Sequence, residues 1–354
     1  MCGALALVSL ADVKILRLTT FALLTVAAAC ARHREERQRL YPIAPPIAYA
    51  EAVERIARRQ AADDSVVAVG GRSILMTHGN RTPRAFVLLH GFTNSPTQFE
   101  ELGNRFFAAG DNVYIPRLPH HAERQAPVVA LSRVKADELT MFADSVVDVA
   151  RGLGDSVVVV GLSAGGSIGA WIAQWRGEVQ RVVLIAPALG VGLLSDEGER
   201  ELVELAARLP NVRRTSKADT TRPDMVQGTT SRGLAEVLSL GHRVRDQAEE
   251  RTPRVKEMLF LLNERDQTVS EKAALELAQR WFDHDASVSA YRFPSSARLP
   301  HNVMEVAQRG GNPEMVYPIV TALAHGQEPP PPVQRMAVPC GGFWCAVKRL
   351  TPGR

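Results

Sequence analysis

The stretch Ser156-Val157-Val158-Val159-Val160-Gly161-Leu162-Ser163-Ala164-Gly165-Gly166 decides the fold. Val157 to Val160 are β-branched and apolar without alternation, as expected of a central parallel strand covered by helices on both faces. After Ser163 the small residues Gly165, Gly166, Gly169 and Ala170 recur at helical spacing, and Trp171, Ile172 and Trp175 add apolar bulk. Ser163 therefore falls on a strand-to-helix turn. Such a turn lifts a hydroxyl above the sheet edge, and the glycines two residues to either side relieve the crowding it creates. Gly-x-Ser-x-Gly alone is a weak signal, expected by accident in about one chain in ten of this length. Its setting between a strand and a helix makes Ser163 the candidate nucleophile.

A serine hydroxyl is almost never ionised near neutral pH, so it needs a base, and the base needs an orienting acid. The apolar run Met258 to Leu262 predicts a second buried strand, ending in Asn263-Glu264-Arg265-Asp266. Asp266 is the candidate acid. Glu264 is its rival, but it lies closer to the strand and suits a surface or loop contact. A further strand over Ser287 to Phe293 leads through Pro294-Ser295-Ser296-Ala297-Arg298-Leu299-Pro300 to His301, the candidate base. His90, His120 and His121 are alternatives, yet all precede the nucleophile.

His90 ends another apolar strand, Phe86-Val87-Leu88-Leu89, within the motif His90-Gly91-Phe92. Two fixed backbone N–H groups in a dry site stabilise the oxyanion of acyl transfer better than mobile water does. The expected donors are Phe92 and Ala164, the second at a helix N-terminus where unpaired N–H groups and the helix dipole favour an anion. His90 itself is expected to hold the loop backbone.

With Ser163, Asp266 and His301 in this order, the chain resembles the α/β-hydrolase superfamily, and more narrowly bacterial carboxylesterases and monoacylglycerol lipases with His-Gly-Phe and Gly-Leu-Ser-x-Gly motifs. The resemblance covers roughly Arg84 to His325. It implies a mostly parallel central sheet flanked by helices, an ester substrate, a covalent acyl-enzyme on Ser163, and no metal or organic cofactor. The likeness departs at Leu118-Pro119-His120-His121, where many relatives carry a Gly-His-Gly turn. Both histidines read as surface loop residues, with substrate contact the lesser expectation.

Between the expected strand Arg181 to Ala186 and Met258 lie about seventy residues, far more than one crossover helix needs. An inserted helical cap over 190–256 is expected, with helices at Asp196 to Leu209 and Arg232 to Glu250 and a polar loop at Thr215 to Thr230. Leu193, Leu194, Leu234, Val237 and Leu238 read as core-packing positions more than as an acyl-binding surface. Elsewhere the pattern predicts an edge hairpin over Val66 to Val69 and Ser73 to His78, and helices over Pro96 to Ala109, Ala136 to Leu153 and Pro313 to Ala324.

Lys14 and Arg17 precede the apolar stretch Leu18 to Val26, which ends in Ala27-Ala28-Ala29-Cys30. This is a secretory signal pattern, too short for a comfortable span, and the small residues before a cysteine resemble a bacterial lipobox. Cys30 is accordingly the expected lipidation site, with plain cleavage near Ala29 and release, or an uncleaved anchor, as the alternatives. The signal would begin more naturally at Val13 than at Met1. Ala31 to Pro46 carries Arg32, Arg34, Arg37 and Arg39 against Glu35 and Glu36, and reads as a tether drawn to anionic lipid or simply as a solvated linker. Cys340 and Cys345, after the linker Pro329 to Pro332, would close only a small tail loop if bridged outside the cytoplasm. Two thiols without nearby histidines argue against a metal site.

The domain reading is a signal at 1–29, a tether and N-terminal helix at 30–62, a catalytic core at 63–189 and 257–326, the cap at 190–256, and a Pro-rich linker and tail at 327–354. A chain of 354 residues with 45% hydrophobic content suffices for one such core and cap. Net charge is +4, and the arginines are scattered without basic stripes or interleaved aromatics, which argues against nucleic acid as a partner. The expected partners are an ester or lipid substrate and, through Cys30, the membrane of a bacterial envelope. Thioesterase, peptidase or perhydrolase chemistry fits the same site. A non-catalytic envelope lipoprotein on this fold is the alternative from another class.

Overall fold

The computed structural model describes residues 45–192, 195–215, 224–304 and 310–338. The chain divides into two units, Met1–Pro45 and Pro46–Arg354, and the fold lies in the second. The signal segment, Cys30, Leu193, Leu194, Cys340 and Cys345 lie outside the described residues.

An eight-stranded sheet runs β1 (Ile74–Met76), β3 (Asn112–Ile115), β2 (Thr82–Leu89), β4 (Gly154–Leu162), β5 (Val179–Ile185), β8 (Glu257–Asn263), β9 (Ser287–Phe293) and β10 (Gln334–Met336) in spatial order. The six inner strands pair in parallel, and β1 and β10 add antiparallel edges. Strands buried on both faces explain the unbroken apolar runs. Side chains still alternate between the faces. Val87, Leu89, Val157, Val159, Val182, Leu184, Met258 and Phe260 fill one core. Phe86, Leu88, Val158, Val160, Val183, Ile185, Leu259 and Leu261 fill the other.

The first core is covered by α1 (Tyr49–Val66), α4 (Ala136–Leu153), α5 (Ala164–Trp175), α7 (Ser231–Glu250) and α8 (Glu271–Asp283), through residues such as Ile56, Phe142, Ile168, Val244 and Trp281. The second lies beneath α2 (Glu100–Ala108) and α9 (Pro313–His325), which contribute Leu102, Phe106, Ile319 and Leu323. Each such side chain, taken from water to full burial, contributes about 1.5–3 kcal/mol. The remaining elements are α3 (Pro127–Leu131), α6 (Asp196–Arg208) and a small ladder of β6 (Arg213–Thr215) with β7 (Gly228–Thr230).

Several expectations change. Val66 ends α1 and Val67 makes one bridge with Glu123, so the predicted edge hairpin does not form. Gly70, at φ 84°, turns the chain away, and Ile74–Met76 pairs with β3 instead. The buried Asp63 at the end of α1 fixes this corner, accepting hydrogen bonds from the N–H and hydroxyl of Ser73 and from Arg117 Nε. Part of the supposed polar loop after Thr215 is ladder, at Gly228–Thr230. The sheet also runs past 326, because Gln334–Met336 pairs with β9.

Within residues 190–256, α7 packs on the sheet-bound α5 and sends Val237, Leu240, Val244 and Ala248 into the first core. Leu234 is partly exposed. The core-packing reading thus holds for Val237.

Candidate active site

The parallel register sets the site. Leu89 pairs with Gly161 and Asn263 with Phe293, so the carboxyl ends of β2, β4, β8 and β9 deliver their following turns to one sheet edge. Ser163 sits between β4 and α5 at φ 55° and ψ −113°, a conformation that costs a non-glycine residue about 1–3 kcal/mol. Its own backbone offsets the strain: Ser163 N–H donates to Ile185 O at 3.0 Å, and its carbonyl accepts from Ser167 N and Ala188 N, each at 3.0 Å. The flanking glycines are steric necessities. A Cβ on Gly161 would stand 2.2 Å from the Gly165 carbonyl oxygen, and one on Gly165 would stand 2.0 Å from that of Leu89.

His301 reaches this serine from the loop after β9. Its Nδ1–H donates to Asp266 Oδ2 at 2.6 Å, which leaves Nε2 as the acceptor for the Ser163 hydroxyl at 3.0 Å. Asp266 is anchored in turn: its N–H donates to Asn263 O at 2.9 Å, and its Oδ1 accepts from Thr268 N at 2.8 Å. The Asp266 side chain is buried and that of His301 is 19% exposed, so the pair is dry at the carboxylate and open at the imidazole. Glu264 faces elsewhere. It accepts from Ser295 N, a bond that holds its carboxyl below the usual range, and it lies 3.8 Å from Arg292.

Phe92 and Ala164 occupy the turns after β2 and β4, with Ala164 the first residue of α5. Among the described residues neither N–H donates to a backbone carbonyl. His90 is fully buried and serves the loops, as expected: Nδ1–H donates to Gly91 O at 3.0 Å, and Nε2 accepts from Leu118 N at 3.1 Å. Burial, with the adjacent His121 second, pushes its pKa well down, so it stays neutral.

The two loop histidines part company. His120 lies near the surface, with Nδ1 3.3 Å from Glu123 and Nε2 3.0 Å from Glu138. His121 is buried, against the surface expectation, with its ring edge-on to Phe92 and His90. Its Nδ1–H donates to Pro119 O at 2.8 Å, and burial lowers its pKa to about 4. The turn keeps the shape that glycines favour, with His120 at φ 62° and Ala122 at φ 53°.

Sequence spacing missed the amide side chains beneath these loops. Asn263 Nδ2 donates to Leu299 O and Pro300 O, each at 3.0 Å, directly before His301. Gln98 accepts from Gly91 N at 2.8 Å and donates to Asn302 Oδ1 at 3.0 Å. Nothing in the residue pattern marks them, because an amide in a loop carries no periodicity.

Residues 86–339 match the model of the Alpha/beta hydrolase family, and the chain belongs to that family. Among curated proteins it is 29% identical over 115 residues to a thermostable monoacylglycerol lipase from Bacillus sp. (strain H-257), a match covering 31% of this chain and 42% of that lipase. Among solved structures, one reported with LipS and LipT, two metagenome-derived lipolytic enzymes, superposes with a TM-score of 0.56 at 16% identity, covering 74% of this chain and all of that one. The monoacylglycerol lipase of Paleococcus ferrophilus gives 0.53 at 16% identity, over 72% of this chain and 96% of that one. A soluble variant of the Saccharomyces cerevisiae monoglyceride lipase gives 0.54 at 12% identity, over 72% and 91%. At such identities the structural likeness speaks for the fold alone.

Proposed function

We propose that the chain is a serine hydrolase of carboxylic esters, acting on short- or medium-chain acyl esters or monoacylglycerols through an acyl-enzyme on Ser163. The observation that carries this reading is the continuous chain from Asp266 Oδ2 through His301 to Ser163 Oγ, at 2.6 and 3.0 Å, on a strained turn. In the first half-reaction His301 Nε2 takes the proton as Ser163 Oγ attacks the ester carbonyl, then returns it to the leaving alcohol. Asp266 stays ionised, holding the imidazole tautomer and stabilising its charged form. The N–H groups of Phe92 and Ala164 receive the oxyanion, a role in which one lost donor costs about 100- to 1,000-fold in rate. Water, activated by the same histidine, then releases the acid.

The lipase named among the relatives supports an acyl ester as the substrate class. The decisive assay is hydrolysis of p-nitrophenyl esters from acetate to palmitate by the wild type beside Ser163→Ala. A chain-length optimum that falls by about 10⁴-fold or more in the variant is expected. Turnover retained by Ser163→Ala would remove the nucleophile assignment, and inertness toward every ester would move the reading to thioester or amide chemistry or to a binding protein.

The segment 190–256 is proposed as a cap over the site, and Cys30 as the lipid-bearing residue that holds the protein on a bacterial envelope membrane. Cys30→Ser should shift the protein from the membrane to the soluble fraction; unchanged membrane retention would exclude that anchor.

A further inference from the structure

Two loops must keep their spacing if a base on one is to serve a tetrahedral centre whose oxyanion is held by the other. The Phe92 turn leaves β2 and the His301 loop leaves β9, with β4, β5 and β8 standing between them in the sheet. The sheet fixes where the strands end but not where these loops lean. Among the described residues, the Gln98 side chain joins the two. Gln98, in the 3₁₀ turn Pro96–Phe99, is 3% exposed. Its Oε1 accepts from the N–H of Gly91, one residue before Phe92, at 2.8 Å. Its Nε2 donates to Oδ1 of Asn302, one residue after His301, at 3.0 Å.

The orientation of the amide follows from chemistry. A backbone N–H only donates, so the Gln98 atom facing Gly91 must be the oxygen, and the nitrogen is left to face Asn302. Its base is also fixed. Ser95 and Thr97 hydroxyls both donate to Asp224 Oδ2 at 2.5 Å, and Val226 N donates to Thr93 O at 2.7 Å. The turn bearing Gln98 is therefore clamped from the far side by Asp224 and Val226, and the amide acts as a strut with a rigid foot. From Asn302 the ties continue through the carbonyls of Leu299 and Pro300 to Asn263, whose own carbonyl accepts from Asp266 N.

Resting on the hydrolase reading, we propose that Gln98, with Asn302 as its partner, is a positioning residue that holds the Phe92 N–H and the His301 imidazole in register around one reacting carbon. Gln98 touches neither substrate nor any reacting atom. Its effect is geometric, and small misplacements of reacting groups are costly: about 1 Å can take 100-fold from a rate. The strut is formed before substrate arrives, so its loss should weaken transition-state stabilisation and leave ground-state binding alone.

The test compares Gln98→Leu, Asn302→Leu and the double variant with wild type in the p-nitrophenyl ester assay, alongside affinity for an alkyl boronic acid that mimics the tetrahedral centre. Gln98→Leu should lower kcat by about 10- to 100-fold with KM within about twofold, and weaken the boronic acid by a similar factor. The two single losses should not multiply, because both variants break one strut. Gln98→Glu preserves it, since burial at this 3%-exposed position keeps the carboxyl protonated, its carbonyl oxygen accepting from Gly91 N and its hydroxyl donating to Asn302 Oδ1 in place of the amide; kcat should stay within about threefold of wild type.

A role in folding alone would lower Tm with kcat intact well below Tm, and that result overturns the proposal, as does a double variant whose losses multiply. Should Gln98→Leu fail to fold, Asn302→Leu, which leaves Gly91 N–H satisfied, decides the question through kcat and boronic acid affinity. A wild type inert toward esters would sink the ester-hydrolase reading instead, whereas an active wild type with unaltered variants sinks only the strut.

Discussion

Ser163 and Asp266 show how far chemistry alone carries a candidate residue. A serine between two glycines, after a valine strand, is legible because each glycine has a steric reason that can be stated before the fold is known. Asp266 is separated from Glu264 by its position past the strand end, and the two carboxylates do point to different partners, His301 and Ser295. His121 shows the limit. A loop histidine in a polar-looking stretch reads as exposed, yet the ring is buried beside Phe92 because the turn folds inward at His120 and Ala122. Asp266→Asn, which keeps the shape and loses the charge that orients the imidazole, should lower kcat by about 10³- to 10⁴-fold. Glu264→Gln should leave it within about twofold of wild type. Equal losses in the steady-state rates of the two variants would reopen the choice of acid.

Whether an element can be read from sequence depends on what surrounds it. The inner strands and α4 are legible because they are long and bury a regular apolar pattern, as at Val157 to Val160 and at Leu139, Phe142, Val146 and Ala150. The three-residue edges Ile74–Met76 and Gln334–Met336 have too few residues to show a period, and their pairing is chosen by partners distant in sequence. The β6–β7 ladder is polar and follows a backbone course that hydrophobic pattern does not record. The strand-to-helix turn makes the sharpest prediction at this scale. Gly165→Ala drives a methyl group into the Leu89 carbonyl and should destabilise the fold by about 3 kcal/mol or more, with loss of activity. Gly177→Ala meets atoms only at ordinary contact distances, at 3.4 Å and beyond, and should stay within about 1 kcal/mol of wild type in urea denaturation. Similar costs at both glycines would contradict the steric account of the strand-to-helix turn.

For the whole molecule, the buried histidines set a pH dependence. Burial lowers the folded-state pKa of His121 to about 4, whereas an unfolded histidine titrates near 6.5. Below pH 6.5 the unfolded chain therefore binds a proton that the folded chain refuses, and stability falls as the pH drops from 6.5 toward 4. For His121 alone the loss between pH 7 and pH 5 is about 2 kcal/mol, and His90 acts in the same direction. His121→Gln should flatten that slope in urea denaturation followed at the two pH values; an unchanged slope would show that His121 titrates normally.

Covalent labelling tests most directly whether the loops at the sheet edge assemble around an activated Ser163. An alkyl fluorophosphonate reacts with a serine whose hydroxyl is activated by a neighbouring base. Peptide mass spectrometry of the labelled wild type should find one adduct, on the peptide containing Ser163, with none in Ser163→Ala and slow formation in His301→Ala. An adduct on another residue, or none in protein that hydrolyses esters, would contradict the account.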